Sequence, residues 1–348
     1  MYGGANWDNL IKTVRNCTPV KAKRIAIKNP NITFFFLCRQ YIVINNQGQL
    51  RMFNPGDAVF FSGIPWYGVA PQCDAYNKNH MTVAYTTPDD SQQFLNIASY
   101  TLADGSPAVD VVCIFGGNYC TNELPSLRAN NNNPPTLNQF NPNIQEVLDS
   151  GVVKALQDKG ITVLLTILNG HSAVGWSQFT SEIVATAFVN YLKTDIVDKY
   201  GLDGIDIDDE YSIGIPNQTS LVMVTSIMQQ LMPDKIISKA LFNDIHNFDT
   251  IYKGKKLSDT LDYGWEMTYG GNPIFRLPQY VDKGMGKDRL SLGFWFGQIS
   301  PNPEKDVQWI KDNGYEGLMV FDFQAPSDTV MMGTLVNALY GIGNWNCQ

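Results

Sequence analysis

The segment Leu202–Tyr211 reads LDGIDIDDEY, and its acids stand at a spacing suited to general acid–base chemistry. Successive side chains of a β-strand turn to opposite faces. Asp206, Asp208 and Glu210 therefore share one face, and Ile205, Ile207 and Asp209 share the other. Three acids on one face of a buried strand are costly unless hydrogen-bonded or neutralised by protonation. Asp208 and Glu210, with Cα atoms about 6.5–7 Å apart, are close like charges. Asp208 is expected to raise the proton affinity of Glu210, so that Glu210 stays protonated near neutral pH and can serve as a general acid. An acidic edge strand and a metal-binding loop are the competing readings of these residues.

The rest of the chain indicates what holds this strand. From about Asn79 onward, apolar strands, polar loops and amphipathic helices alternate. The expected strands are Met81–Thr87, Val109–Gly117, Ile161–Asn169, Gly204–Glu210, Lys235–Phe242, Tyr263–Tyr269, Leu290–Phe296 and Gly317–Phe323. Apolar residues at three- and four-residue spacing predict helices over Ile144–Asp158, Phe179–Lys199, Ser220–Met232, Glu304–Asp312 and Asp328–Leu339. His246–Lys256 carries no such pattern. Alternation of this kind implies an α/β fold with parallel strands, and eight of them favour a closed (β/α)8 TIM barrel. In such barrels the active site lies at the C-terminal ends of the strands. Glu210 would stand at that mouth with Asp208 and Asp206 successively deeper, while Ile205 and Ile207 face the helices.

A small β-rich module is expected before the barrel, dividing the chain into residues 1–78 and 79–348. Its short strands are Ile25–Ile27, Thr33–Cys38, Tyr41–Asn45, Leu50–Phe53 and Ala58–Phe61, separated by turn-forming residues. Such a module could bind carbohydrate, brace the barrel or mediate self-association. The apolar run Phe34–Leu37 needs cover from the barrel or from another subunit.

Composition narrows the partners. With 348 residues and 44% hydrophobic content, the chain can bury a large core. Its net charge of -8 and pI near 4.9 argue against nucleic acid or an anionic membrane surface. No apolar run reaches the roughly 20 residues needed to cross a bilayer. The start, MYGGANWDNL, lacks the features of a signal peptide. The expected location is therefore cytosolic, or outside the cell by another route or after processing. The six cysteines and three histidines are scattered, so no zinc site is expected and no cofactor is implied.

Several segments together carry a family resemblance. DGIDIDDE resembles the DxxDxDxE signature of glycoside hydrolase family 18. DIDDEY, the third-strand VLLTILNGH, MPDKIIS before the fifth strand, SYTLADG before the second and DYGWEMTYGG in the sixth resemble the bacterial endo-β-N-acetylglucosaminidases of the H and F type. The likeness runs in order from Asn79 to Tyr340. It implies hydrolysis of the β-1,4 bond between the two N-acetylglucosamines of an N-linked glycan or glycoprotein, and a secreted location.

The geometry of the acids bears on mechanism. A conventional glycosidase brackets the scissile bond with two carboxyls. Asp208 and Glu210 rise from one strand and approach the sugar from one side. The substrate's 2-acetamido oxygen must then act as nucleophile, the substrate-assisted exception within this family. Glu210 is assigned as acid and then base, and Asp208 as acceptor of the acetamido N–H. Asp206 is a deeper support that shares a proton with Asp208. The resemblance maps Tyr269 onto a tyrosine that hydrogen-bonds the acetamido carbonyl. Asn169, His171, Trp265, Trp295 and Asp322 are candidate substrate contacts. Asp203 and Asp209, of the opposite parity, are expected to be structural. Two departures stand out: Gly270 follows Tyr269 where chitinases carry aspartate, and the eighth strand reads MVFDFQ, placing Phe321 and Asp322 where tyrosine–asparagine is expected. Gln298–Asn313 is too short for the inserted domain of many chitinases, whereas Asn118–Pro142 is long enough to contact glycan. A chitinase-like hydrolase, a sugar-binding protein and a structural assembly protein are the alternatives on the same barrel.

Overall fold

A computed structural model describes residues 10–14, 17–29, 31, 34–37, 41–44, 50–53, 58–61, 80–118, 140–169, 175–210, 215–269, 272–298, 302–341 and 343. In chain order the strands are β1 (Leu10–Val14), β2 (Phe34–Leu37), β3 (Tyr41–Ile44), β4 (Leu50–Phe53), β5 (Ala58–Phe61), β6 (Met81–Thr86), β7 (Val111–Asn118), β8 (Thr162–Leu168), β9 (Gly204–Asp208), β10 (Ile236–Leu241), β11 (Tyr263–Glu266), β12 (Leu290–Trp295) and β13 (Gly317–Phe321). Strands β6 to β13 follow one another around a closed barrel, and β13 pairs with β6 to complete it. Every ladder in the ring is parallel. All eight expected barrel strands are present, because a parallel strand covered on both faces reads as a short apolar run.

Alternate residues divide between two cores. Met81, Val83, Tyr85, Val111, Cys113, Leu164, Trp265 and Met319 pack within the barrel. Ile205 and Ile207 turn outward into the larger cluster between strands and helices, as their parity requires.

The base of the barrel is clamped at alternate strands. Asp110, Asp203 and Asp262 each stand immediately before a strand, β7, β9 and β11. Their carboxylates accept from the backbone N–H of Thr82 (2.8 Å), Val163 (3.0 Å) and Ile237 (2.9 Å) on the preceding strand. Each clamp fixes the register of one strand pair. Asp203 thus has the structural role expected from its parity.

The segment Ile25–Ile27, expected as a strand, lies instead in the helix α1 (Pro19–Lys28). Thr18 caps it by accepting from Lys21 N at 3.4 Å, and Pro19 occupies its first turn. These start signals and the burial of Val20, Ala22, Arg24 and Ile25 outweigh the modest strand preference of isoleucine. The helix closes the base of the barrel. Val20 joins the interior cluster, and the Thr18 and Thr162 hydroxyls meet at 2.6 Å. Lys23 pairs with the buried Glu316 at 2.7 Å, and Arg24 pairs with the buried Asp262 at 2.9 Å. Lys28 also reaches Asp262. The other early strands form an antiparallel sheet, β1-β5-β2, and a hairpin, β3-β4.

The helix expected over Ile144–Asp158 is two, Pro142–Asp149 and Val152–Asp158, because Gly151 turns the chain at φ +83°. The helix Ser91–Ser99 was not expected; Asp90 caps it by accepting from Gln93 N at 2.9 Å. His246–Lys256 forms only a 3-10 turn, Ile245–Asp249, and an antiparallel bridge from Tyr252 to Lys255. Between β12 and β13 the described chain is one helix, Pro303–Asp312, with no inserted domain.

Candidate active site

Asp206 sits in the floor of the barrel mouth, fully buried. Register places Thr166 of β8 and Ser238 of β10 beside it, both facing inward. The Thr166 and Ser238 hydroxyls donate to its carboxylate at 3.0 and 2.6 Å, the Tyr85 hydroxyl at 2.6 Å and the Trp265 indole N–H at 3.1 Å. Each oxygen thus receives two donors. Burial raises the carboxyl's pKa and the four donors oppose that rise. Donors from four strands thus meet the acceptor sites of Asp206.

Asp208 lies one level nearer the mouth, also buried, with no hydrogen-bond partner for Oδ1 among the described residues. Burial first, then Glu210 and Asp206, push its carboxyl up to about 8, with Lys239 pulling the other way. Glu210 follows two residues beyond the end of β9, partly exposed. Asp208 is thus the more deeply buried of the two acids, and burial favours its neutral form.

Tyr269 completes the group. It lies three residues past β11, so the continued strand expected over Tyr263–Tyr269 does not carry it there. A left-handed turn at Tyr269 itself, φ +56°, aims the ring instead. Burial, then the charges of Asp208 and Glu210, raise the pKa of its phenol, which leaves it a firm hydrogen-bond donor facing the acid pair.

An aromatic wall rises around these groups. Tyr269 stacks on Phe321 with centroids 5.9 Å apart and meets Trp295 at 6.0 Å. Phe321 meets Phe115 edge-on at 5.1 Å and Tyr85 at 6.4 Å. Phe115 lies where β7 slips register between Ile114 and Gly117, and Gly116 there adopts φ +113°, a conformation that suits glycine.

The other expected contacts fall into different places. Trp265 is fully buried, stacked on Tyr263 at 5.3 Å, with its indole N–H donated to Asp206. Asn169 is also buried. Its carbonyl accepts from Trp176 N at 3.0 Å, and its amide donates to Asp209 at 2.8 Å. Asp209 accepts from Ser177 as well, which is the loop contact its parity predicts. Trp295, 37% exposed, lies on the rim. Asp322 accepts from Thr87 N at 2.7 Å, tying the end of β13 to that of β6. His171 and residues 119–139 of the long loop lie outside the described residues. Tyr85, Phe115 and Lys239 were missed. The inward parity of the first two was legible in MTVAY and VVCIF, and Lys239 is the lone charge within IISKAL.

A parallel (β/α)8 barrel with an acid pair at the mouth end of one strand, beneath an aromatic wall, is the build of a carbohydrate-cleaving hydrolase. Residues 130–285 match the family model of the endo-β-N-acetylglucosaminidase EndoS TIM-barrel domain. An endo-β-N-acetylglucosaminidase from Flavobacterium sp. (strain SK1022) is 30% identical over 272 residues, covering 75% of this chain and 80% of that protein. Endo-β-N-acetylglucosaminidase F1 from Elizabethkingia meningoseptica is 30% identical over 241 residues, 65% of this chain and 67% of that one. Among solved structures, Bacteroides thetaiotamicron EndoBT-3987 in complex with a Man9GlcNAc2Asn substrate shares the fold. Its TM-score is 0.64 at 19% identity, over 97% of this chain and 88% of that chain. The chain belongs to the endo-β-N-acetylglucosaminidases of glycoside hydrolase family 18.

Proposed function

We propose that the protein hydrolyses the β-1,4 bond between the two N-acetylglucosamines of the N-glycan chitobiose core, with retention, using the substrate's acetamido oxygen as nucleophile. The observation that carries this reading is the placement of Asp208 and Glu210 at the end of the single strand β9. Across the barrel, Asp322 is engaged by the backbone of Thr87. One-sided acids suit a substrate that brings its own nucleophile.

Glu210 donates its proton to the leaving oxygen while the acetamido oxygen attacks the anomeric carbon, giving an oxazolinium ion. Ionised Asp208 accepts the acetamido N–H and stabilises that charge, and Tyr269 donates to the acetamido oxygen. An N–H donor arriving at Asp208 favours its ionised form, so substrate binding moves the resting proton from Asp208 toward Glu210. Glu210, now a carboxylate, then takes a proton from the water that opens the oxazolinium ring. Trp295 and Phe321 give the sugar an apolar wall. Residues 1–78 act as a brace for the barrel, a role supported by the ion pairs of α1 with Asp262 and Glu316.

The test is incubation of high-mannose and complex N-glycoproteins with wild type and Glu210→Gln, read by mass spectrometry. Glycans ending in a single reducing N-acetylglucosamine should appear with wild type alone. Equal release by the variant would remove Glu210 from the mechanism.

A further inference from the structure

Strand β10, IISKAL, carries one charge on an otherwise neutral strand. Lys239 pairs in register with Ile207 of β9 and Gly264 of β11, facing away from the barrel interior. Its side chain is only 3% exposed. The ammonium lies 2.5 Å from Asp244 Oδ2 and donates to the Ala240 carbonyl at 2.7 Å. Burial opposes its charge, while Asp244, Asp209 and Asp208 more than offset burial and leave the ammonium firmly protonated. Two of these acids are themselves anchored. Asp244 accepts from the Tyr280 hydroxyl at 3.1 Å, and Asp209 accepts from Asn169 and Ser177.

Asp209 is the residue between Asp208 and Glu210, so whatever fixes it sets the direction of both. We propose that Lys239 is a positioning residue for the acid pair: its buried ammonium, paired with Asp244 and set beside Ile207 on the outward face that β9 shares with Asp209, attracts the acids at the mouth end of β9 and so holds Asp208 and Glu210 in place. The inference rests on reading Asp208 and Glu210 as the acid pair. A residue that merely neutralised Asp244 would have no effect on that pair, and the two roles predict different outcomes.

The charge of Lys239 also reaches Asp208. The groups acting on Asp208 are Asp206, Asp209 and Glu210 from β9 and the segment after it, and Lys239 from β10; its own charge acts on the phenols of Tyr85 from β6 and Tyr269 after β11. Lys239 opposes these acids, so its removal should move the Asp208 titration upward.

The test compares wild type, Lys239→Met and the double variant Lys239→Met/Asp244→Asn. The double variant also removes the carboxylate left without its cation and so separates folding from positioning. The Asp208 carboxyl is titrated by carbon-13 NMR, and kcat, KM and their pH profiles are measured on a high-mannose glycopeptide. The expected result is an upward shift of the Asp208 titration and of the alkaline limb of kcat in both variants, with kcat lowered about tenfold and KM nearly unchanged. A double variant with wild-type titration and wild-type kcat would overturn the inference, reducing Lys239 to the counterion of Asp244. The NMR titration reads the charge effect without turnover. A wild type that released no glycan would therefore count against the proposed reaction and leave the Lys239 comparison decisive.

Discussion

Asp208 is held protonated up to about pH 8 by its burial and its acidic neighbours, whereas an aspartate in an unfolded chain titrates near pH 4. Between those values the folded protein carries a proton that the unfolded chain lacks. A raised carboxyl pKa of this kind makes stability fall as pH rises, by about 1.4 kcal/mol per unit. The window opens near pH 4 and closes near pH 8, above which the full cost is present. At pH 7 the ceiling is about 4 kcal/mol, and because Glu210 shares in the pair's titration about half of it is a fair expectation. Asp208→Asn has the shape of the protonated acid and needs no proton. The variant should therefore be about 2 kcal/mol more stable than wild type at pH 7, more so at pH 8.5 and equal to it near pH 4. Urea unfolding at these three pH values measures the difference directly. Activity should be lost in the same variant, since an amide cannot balance the oxazolinium charge. A variant less stable than wild type at pH 7, or a stability gap that does not change with pH, would refute the claim that Asp208 is held neutral by burial.

Other expectations follow from the same geometry. Tyr269→Phe keeps the ring and removes the donor, and should lower kcat/KM about a hundredfold with little change in unfolding midpoint. Activity of the wild type should fall about tenfold per unit above pH 8, where the pair loses its last proton, and a pH profile flat to pH 10 would contradict this. Trp295→Ala should raise KM about fivefold, a loss of about 1 kcal/mol of ring contact, while kcat changes less. Arg24→Met leaves the buried Asp262 with only the more exposed Lys28, and should cost about 2 kcal/mol in urea unfolding with specific activity intact.

The barrel was legible because each of its strands is a bounded apolar run and because the parity of LDGIDIDDEY separates Ile205 and Ile207 from the acids. Parity could rank Asp206, Asp208 and Glu210 by depth, but it could not show how unequally they are buried. The raised pKa of Asp208 therefore had to come from three dimensions. Tyr269 was located by resemblance, and strand alternation does not reach it, because β11 ends at Glu266 and the chain turns left-handed at Tyr269. Asn169 looked like a sugar contact because polar residues near a strand end usually face the mouth. Its hydrogen bonds instead brace the neighbouring loop, an arrangement set by Trp176 and Asp209, seven and forty residues away. Ile25–Ile27 was misread although Thr18 and Pro19 mark a helix start, since three β-branched or small residues between Arg24 and Lys28 resemble an edge strand. Lys239 carried the clearest overlooked signal, a single cation in an apolar strand that burial makes expensive unless acids surround it.

The ion pairs beneath the barrel bear on how such a protein can be rearranged during evolution. Asp262 and Glu316 are buried, and the cations that meet them come from α1, more than two hundred residues earlier in the chain. A recombination event that moved the barrel alone into another gene would deliver two acids into an apolar floor with no counterions. The lysines and arginine of α1 would have to travel with it, or both acids would have to mutate together. The early segment and the barrel are therefore expected to share one line of descent, and a chimaera between relatives should fold only when the cations of one half match the acids of the other.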